Sequence, residues 1–289
     1  MPIHELHFLP DSETLGRKVA RQLGVPARAV DVHRFPDRES LVQVATPVLR
    51  DVVLFAQLHD PNPKLLPLLL AADALRRAGA RRIRGVVPYL PYMRQDVVFE
   101  PGQALSQHVF AETLGGALDE LVTLEPHLHR IRRLSEVFPC RARSLPAAPL
   151  LADWAARGRG SRVLVGPDAE SEPWVRELGR RSGLPWVACT KERLGDRRVV
   201  IHVPDLPDVR RAILVDDIAS SGTTLAAATR SLHRRGITHV DAAVVHAVFA
   251  PGALQRIEKA GIRRLVSCDT IPHETNGIGT AAYLAAALS

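Results

Sequence analysis

The chain has 289 residues, 46% of them apolar and 4% aromatic, with a net charge of +7. That length and apolar content allow two ordinary domains with aliphatic cores, while the scarcity of aromatic rings argues against stacking on nucleic-acid bases. The positive charge is almost all arginine, with lysine only at Lys18, Lys64, Lys191 and Lys259, and it is scattered over helix surfaces such as Arg76–Arg77 and Arg234–Arg235; this excludes a nucleic-acid-binding arm and leaves a field suited to a phosphate-rich small substrate.

In chain order, the first residues show no basic segment leading into a long apolar one, so no signal peptide is expected. Val52–Phe55 reads as a buried strand and Leu65–Ala78 as a helix with Gly79 at its C-cap. Within that helix Pro67 and Asp73 interrupt the longest apolar run, which is too short and too polar to span a bilayer. Ile83–Val87 reads as a strand, Ala104–Leu114 as a helix and Leu118–Leu124 as a strand. The pattern pauses over Arg141–Leu151, with Pro146 and Pro149, which sets a domain boundary near residue 145. It resumes with strands at Arg162–Val165, Trp186–Cys189, Ala212–Val215, His239–Val245 and Arg264–Ser267. Helices are expected at Ser171–Gly183, Thr224–Arg235, Pro251–Ala260 and Thr280–Leu288. Strands alternating with helices over short loops imply α/β architecture, with a mainly parallel sheet flanked by helices in each of two domains, 1–145 and 146–289. Cys140, Cys189 and Cys268 form no CxxC pair and read as ordinary thiols of a reducing, cytoplasmic compartment.

The segment Ala212–Leu232 carries the most chemistry. An apolar strand runs into Asp216 and Asp217, then into Ser220, Ser221, Gly222, Thr223 and Thr224, where a helix begins. Small residues let backbone N–H groups converge on an anion at a helix N-terminus, where the helix dipole also favours negative charge. Four hydroxyls add donors, and two carboxylates can accept hydrogen bonds from a polyol. A phosphate beside a polyol describes a sugar phosphate. An ordinary Ser/Thr-capped strand–turn–helix is the plainer alternative, but it does not call for twin carboxylates.

This segment resembles the 5-phosphoribosyl diphosphate signature shared by type I phosphoribosyltransferases and ribose-phosphate diphosphokinases. Five further segments resemble the diphosphokinases. Phe35, Asp37 and Glu39 match a loop that, in the family, reaches the ATP of a neighbouring subunit. Arg94, Gln95 and Asp96, preceded by Pro88, Tyr89 and Tyr92, match a nucleotide-binding stretch at six of nine positions. His127 matches a histidine that helps hold Mg²⁺-ATP, with His129 off the matching position. Pro167 and Asp168 match a segment whose aspartate lies near the ribose C1 hydroxyl and its metal. Lys191 and Arg193 match a pair at the start of a loop that closes over the reacting phosphates; two apart on an extended segment, they share one side. Taken alone, Phe35–Glu39 reads as a polar hairpin turn and Lys191–Arg193 as a charged hairpin.

The resemblance implies two tandem type I phosphoribosyltransferase-like domains, the first contributing the ATP site and the second binding ribose 5-phosphate. It implies a Mg²⁺-dependent homo-oligomer with ATP and ribose 5-phosphate as partners and with neither membrane nor nucleic acid. Lys191 and Arg193 would be catalytic, and His127 and Asp168 would attend the metal. Departures are Arg38 for a glycine, Glu170 and Ser171 for two glycines, Ser220 for an acidic residue, and Arg130 for a glutamine. Alternatives are a phosphoribosyltransferase acting on a base, or a non-catalytic regulatory homologue.

Overall fold

The computed structural model describes residues 2–128, 130–158, 160–194 and 198–289. They fall into two compact units, Met1–Leu145 with Thr280–Ser289, and Pro146–Gly279.

The first unit comprises β1 (Glu5–Phe8), α1 (Glu13–Leu23), β2 (Ala27–Ala29), a hairpin of β3 (Asp31–Arg34) and β4 (Ser40–Gln43), β5 (Asp51–Phe55), α2 (Asn62–Arg77), β6 (Arg82–Val86), α3 (Ser106–Ala117), β7 (Glu120–Leu124) and β8 (Arg141–Leu145). Six strands form one parallel sheet in the order β2-β1-β5-β6-β7-β8. Every position of β5 and β7 is buried. Burial on both faces is why such strands read as unbroken apolar runs. One face packs Leu54, Ile83 and Leu121 against Leu75 and Leu114. The other packs Leu6, Phe55 and Val122 against Val19, Leu284 and Leu288. Those last two leucines belong to the final helix, Ala281–Leu288, which packs on α1.

The second unit comprises α4 (Ala148–Ala156), β9 (Val163–Gly166), α5 (Glu172–Ser182), β10 (Trp186–Ala188), a hairpin of β11 (Thr190–Leu194) and β12 (Arg198–His202), β13 (Arg211–Ala219), α6 (Thr223–Arg234), β14 (His239–Ala247), α7 (Ala253–Lys259), β15 (Ile262–Cys268) and β16 (Asn276–Ile278). Its six-stranded sheet is also parallel, in the order β10-β9-β13-β14-β15-β16. Val165, Leu214 and Val244 pack against Leu225, Leu232 and Ile257.

Two expectations change. The pause at 141–151 holds a strand and the start of a helix: β8 is an edge strand pairing only with β7, so it tolerates Arg141, Arg143 and Ser144. The terminal helix, expected with the second domain, closes the first; Arg84 and Arg143 also donate to the carbonyls of Leu288 and Ala287.

Each sheet has one switch point. From β1 the chain moves to β2 on one side and later to β5 on the other; from β9 it moves to β10 and later to β13. The crevice beyond the carboxyl ends of such a strand pair is where doubly wound sheets bind ligands.

Candidate active site

The switch point of the second sheet gathers the residues singled out in the sequence. β9 ends at Gly166, and two residues on Asp168 caps the next turn by accepting from the Ser171 backbone N–H at 3.2 Å. Ser171 Oγ donates back to the Asp168 carbonyl at 2.5 Å. A Cβ at Gly166 would collide with Ser171 Oγ, so the glycine lets this turn fold over the strand end. β13 carries Asp216 and Asp217 beside it, and their carboxylates accept from the N–H groups of Asp217 and Ile218 at 3.0 and 2.7 Å.

The turn that follows is built to stay open. Gly222 sits in the left-handed region (φ 73°) at the N-cap of α6. A Cβ there would lie 2.8 Å from Ile257 Cγ1 and 3.1 Å from the Ala253 carbonyl. Ala250 N–H donates to the Ser220 carbonyl at 3.2 Å, and Arg256 donates to the Ser221 carbonyl. The backbone is thus held from behind by α7. In front, Ser221 and Thr223 are exposed, and Ser221 Oγ donates to Thr223 Oγ1 at 3.0 Å. Ser220 and Thr224 are half-buried beside them. The helix N-terminus therefore faces solvent with hydroxyls and N–H groups, as an anion site requires.

Electrostatics complete the picture. Burial pushes the Asp216 carboxyl well above the usual carboxylate range, and the charges of Asp217 and Asp168 push it further. Three carboxylates, Asp168 after β9 and Asp216 and Asp217 on β13, thus crowd neighbouring strands. Asp168 also helps raise the buried thiol of Cys189 to about 12, after burial itself, which makes that thiol unreactive. Among the described residues no group of three His, Cys, Asp or Glu side chains stands ready to enclose a metal ion. Mg²⁺ does not need one, since it keeps several waters and binds through one or two carboxylates plus substrate phosphates. The mutual repulsion of Asp168 and Asp216 fits that mode.

Lys191 lies in β11, which leaves the carboxyl end of β10, so the hairpin rises from the same sheet end. Lys191 is half-buried, and its strand neighbour Glu192 pairs with His202 at 3.0 Å. Arg193 follows opposite Val199; its side chain lies outside the described residues. His246, left unassigned from sequence, is buried at the end of β14 and bonds Thr270 Oγ1 at 2.9 Å.

In the first unit, Phe35, Asp37 and Glu39 occupy the exposed tip of the β3–β4 hairpin. Glu39 N–H donates to Asp37 Oδ1 at 3.0 Å, and Arg38, where a glycine was the expected residue, takes φ 74°. Arg94, Gln95 and Asp96 follow β6. Gln95 turns inward, donating to the Ala104 carbonyl at 2.5 Å and accepting from Ser106 Oγ at the start of α3. Asp96 is consumed by Arg130, whose backbone N–H it accepts at 3.2 Å and whose guanidinium it pairs. Only Arg94 of the three is exposed, with no hydrogen bond or ion pair among the described residues. The Asp96–Arg130 pair ties the loop after β6 to the loop after β7, where His127 is half-buried; His129 lies outside the described residues. The structure therefore brings Arg94 and His127 to neighbouring strand ends, whereas the Phe35–Glu39 tip leaves from β2, three strands from β6. Tyr92 (φ 63°), in the loop after β6, and Glu125 (φ 39°), directly after β7, are left-handed non-glycine residues, the kind of strain that marks functional loops. Neither these nor the Arg256 buttress carries a local signal in the sequence.

Two doubly wound units, the second with a helix N-terminus behind twin aspartates at its switch point, define a phosphoribosyltransferase-type protein. Residues 147–283 match the phosphoribosyl transferase domain, and residues 6–117 match the N-terminal domain of ribose phosphate pyrophosphokinase. The chain is 34% identical to ribose-phosphate pyrophosphokinase 2 of Archaeoglobus fulgidus over 96% of its own length and 97% of the relative's. It is 31% identical to the ribose-phosphate pyrophosphokinase of Methanopyrus kandleri over 95% and 94%. Its fold matches the crystal structure of phosphoribosylpyrophosphate synthetase from Mycobacterium smegmatis with a TM-score of 0.84, covering 99% of this chain and 97% of that one at 24% identity. The chain belongs to the ribose-phosphate pyrophosphokinase family.

Proposed function

We propose that this chain transfers the diphosphoryl group of ATP to the C1 hydroxyl of ribose 5-phosphate, giving 5-phosphoribosyl 1-diphosphate and AMP. The observation that carries the reading is the open N-terminus of α6 behind Asp216 and Asp217 at a switch point, in a chain whose first half matches the N-terminal domain of this family. That first half also weighs against a phosphoribosyltransferase acting on a base, which has no use for it.

The 5-phosphate is held by the N–H groups and hydroxyls of Ser220, Ser221, Gly222, Thr223 and Thr224. Asp216 and Asp217 accept from the 2′ and 3′ hydroxyls. Asp168 stands near C1. Arg94 grips the nucleotide phosphates, His127 borders them, and Gln95 and Asp96 shape the loop that presents Arg94. Mg²⁺ supplies charge neutralisation of the triphosphate when bound, with Asp168 and His127 as protein contacts. The C1 hydroxyl oxygen attacks the β-phosphorus in line and its proton is released to solvent, the bond from the β-phosphorus to the α,β-bridging oxygen breaks, and AMP leaves with that electron pair. Lys191 and Arg193 donate to the oxygens on which negative charge develops. Positioning and electrostatics carry most of the barrier reduction.

Following the family resemblance, we assign Phe35, Asp37 and Glu39, on the exposed tip of the β3–β4 hairpin, to the nucleotide of a neighbouring subunit. The working unit is then a homo-oligomer of at least two chains. No helix among the described residues is long and apolar enough to cross a membrane, and three free cysteines suit the cytoplasm. The test is a coupled AMP-release assay across several sugar phosphates and nucleotide donors. AMP formation that requires both ATP and ribose 5-phosphate supports the reading; diphosphate release that requires a base, or nucleotide binding without turnover, removes it.

A further inference from the structure

The second sheet has another mouth, at the end where its strands begin. A cavity of ≈ 510 Å³ opens there, between the starts of β13, β14 and β15 and the end of α4. Cavities that hold small ligands fall in this size range. Cations line it. Arg211 opens β13, His239 opens β14, Arg263 and Arg264 stand near the start of β15, and Arg157 and Arg162 lie on the segment after α4. Asp241 is the one carboxylate among the described residues of the lining. The ladder sets Arg211 opposite His239 and Asp241 opposite Arg264, so these four side chains share one face of the sheet. Arg211 and Arg264 are exposed and His239 and Asp241 half-buried, so this end of the face opens to solvent and carries charge.

Two ordinary roles account for part of the cluster. Arg264 lies over the Trp154 ring, 5.3 Å from its centroid. Arg162 Nη2 donates to the Ala156 carbonyl at 3.2 Å, where a cation suits the carboxyl end of α4. The remainder is unexplained by the fold. Arg162 is 7% exposed, and its Nε is buried with no partner. A Cβ on Gly158 would collide with that guanidinium, so a glycine keeps the space it occupies. The side chains of Arg157, Arg211 and Arg263 make no hydrogen bond or ion pair among the described residues. Their field is felt by His239, whose imidazole is held below its ordinary range by desolvation first and then by Arg263 and Arg211.

We propose that this cavity is a second anion site, taking a small molecule that carries a diphosphate or triphosphate group on Arg162, Arg211 and Arg264. Five guanidinium groups against one carboxylate exceed what a single carboxylate or phosphate monoester neutralises. Arginine forks match phosphoryl oxygens two at a time. Asp216 lies five positions along β13 from Arg211, a span of roughly 17 Å, so both ends of the sheet can be filled at once.

The test titrates the full-length protein, saturated with ribose 5-phosphate, with inorganic diphosphate by calorimetry. The comparison is Arg211→Gln/Arg264→Gln, which removes two charges and keeps an aliphatic stem on Trp154. Diphosphate entering the nucleotide site contributes equally in both proteins, so the difference reads the cavity. Wild type should show saturable binding that the double variant weakens at least about tenfold, with melting temperature and AMP release unchanged. Equal affinities in the two proteins would overturn the proposal, as would non-saturable binding in wild type. Loss of assembly in the double variant with unaltered diphosphate affinity would overturn it in favour of an acidic partner surface. Should the double variant not fold, Arg157→Gln, on an exposed loop, must weaken binding about threefold; no change there would equally refute it.

Discussion

Replacing Gly222 by alanine isolates the turn on which sugar-phosphate binding depends. Two costs combine. An alanine at φ 73° incurs about 1 kcal/mol or somewhat more of left-handed strain. Its Cβ would also stand 2.8 Å from Ile257 Cγ1, 3.0 Å from Ile257 Cδ1 and 3.1 Å from the Ala253 carbonyl. The side chain can give way, but the backbone of α7 cannot do so without disturbing the Ala250–Ser220 bond; overpacking of this kind costs about 1–3 kcal/mol. The sum is about 2–4 kcal/mol, which should lower the melting temperature by roughly 5–10 °C and raise KM for ribose 5-phosphate far more than KM for ATP. Gly222→Ala combined with Ile257→Ala should recover part of that loss in a double-mutant cycle, with a coupling of about 1–2 kcal/mol. A Gly222→Ala protein with wild-type melting and wild-type KM for the sugar would refute the argument.

Three other variants probe separate parts of the account. Asp216 has a folded-state pKa above its unfolded value, so its contribution to stability is full below about pH 4 and is lost as pH rises through the folded value. Asp216→Asn should therefore melt higher than wild type at neutral pH without ligand, with the gap closing toward about pH 4, while ribose 5-phosphate affinity falls about tenfold or more; a gap that widens on acidification would contradict the sign. Lys191→Ala should cut turnover by orders of magnitude with ribose 5-phosphate binding nearly intact, and a fully active variant would remove Lys191 from the mechanism. Arg38→Gly relieves a left-handed residue at the hairpin tip and should gain roughly 0.5 kcal/mol in denaturant melts after the entropy of the added glycine is set against it; a loss of stability would mean that the Arg38 side chain holds the tip.

How legible all this was depended on how local each feature is. The central strands were readable because burial on both faces leaves runs such as Val52–Phe55 and Ala212–Val215 without polar breaks. β1 was not, because it buries Glu5 and His7, a charge cluster completed by Arg28 at 2.7 Å and by the Leu49 N–H at 2.8 Å. β8 hid behind the arginines an edge strand tolerates, and Arg143 finds its partner, Glu120, on the adjoining strand. The final helix is small and apolar all round, so nothing in its pattern chooses between two cores; only packing on α1 assigns it. At the site, the twin aspartates and hydroxyl turn are contiguous and were read directly. Arg256 and Ile257, which brace that turn from 35 residues away, were not. Nor did the sequence reveal that Gln95 and Asp96 are spent on Ala104, Ser106 and Arg130, leaving Arg94 to face the solvent.

The most direct test follows one phosphorus atom. With ATP labelled at the β-phosphorus, ribose 5-phosphate and Mg²⁺, the purified chain should carry the label into the sugar product and release unlabelled AMP. Label retained on a nucleotide diphosphate, or released as free phosphate with no labelled sugar, would contradict transfer of the diphosphoryl group to a pentose seated at the twin aspartates.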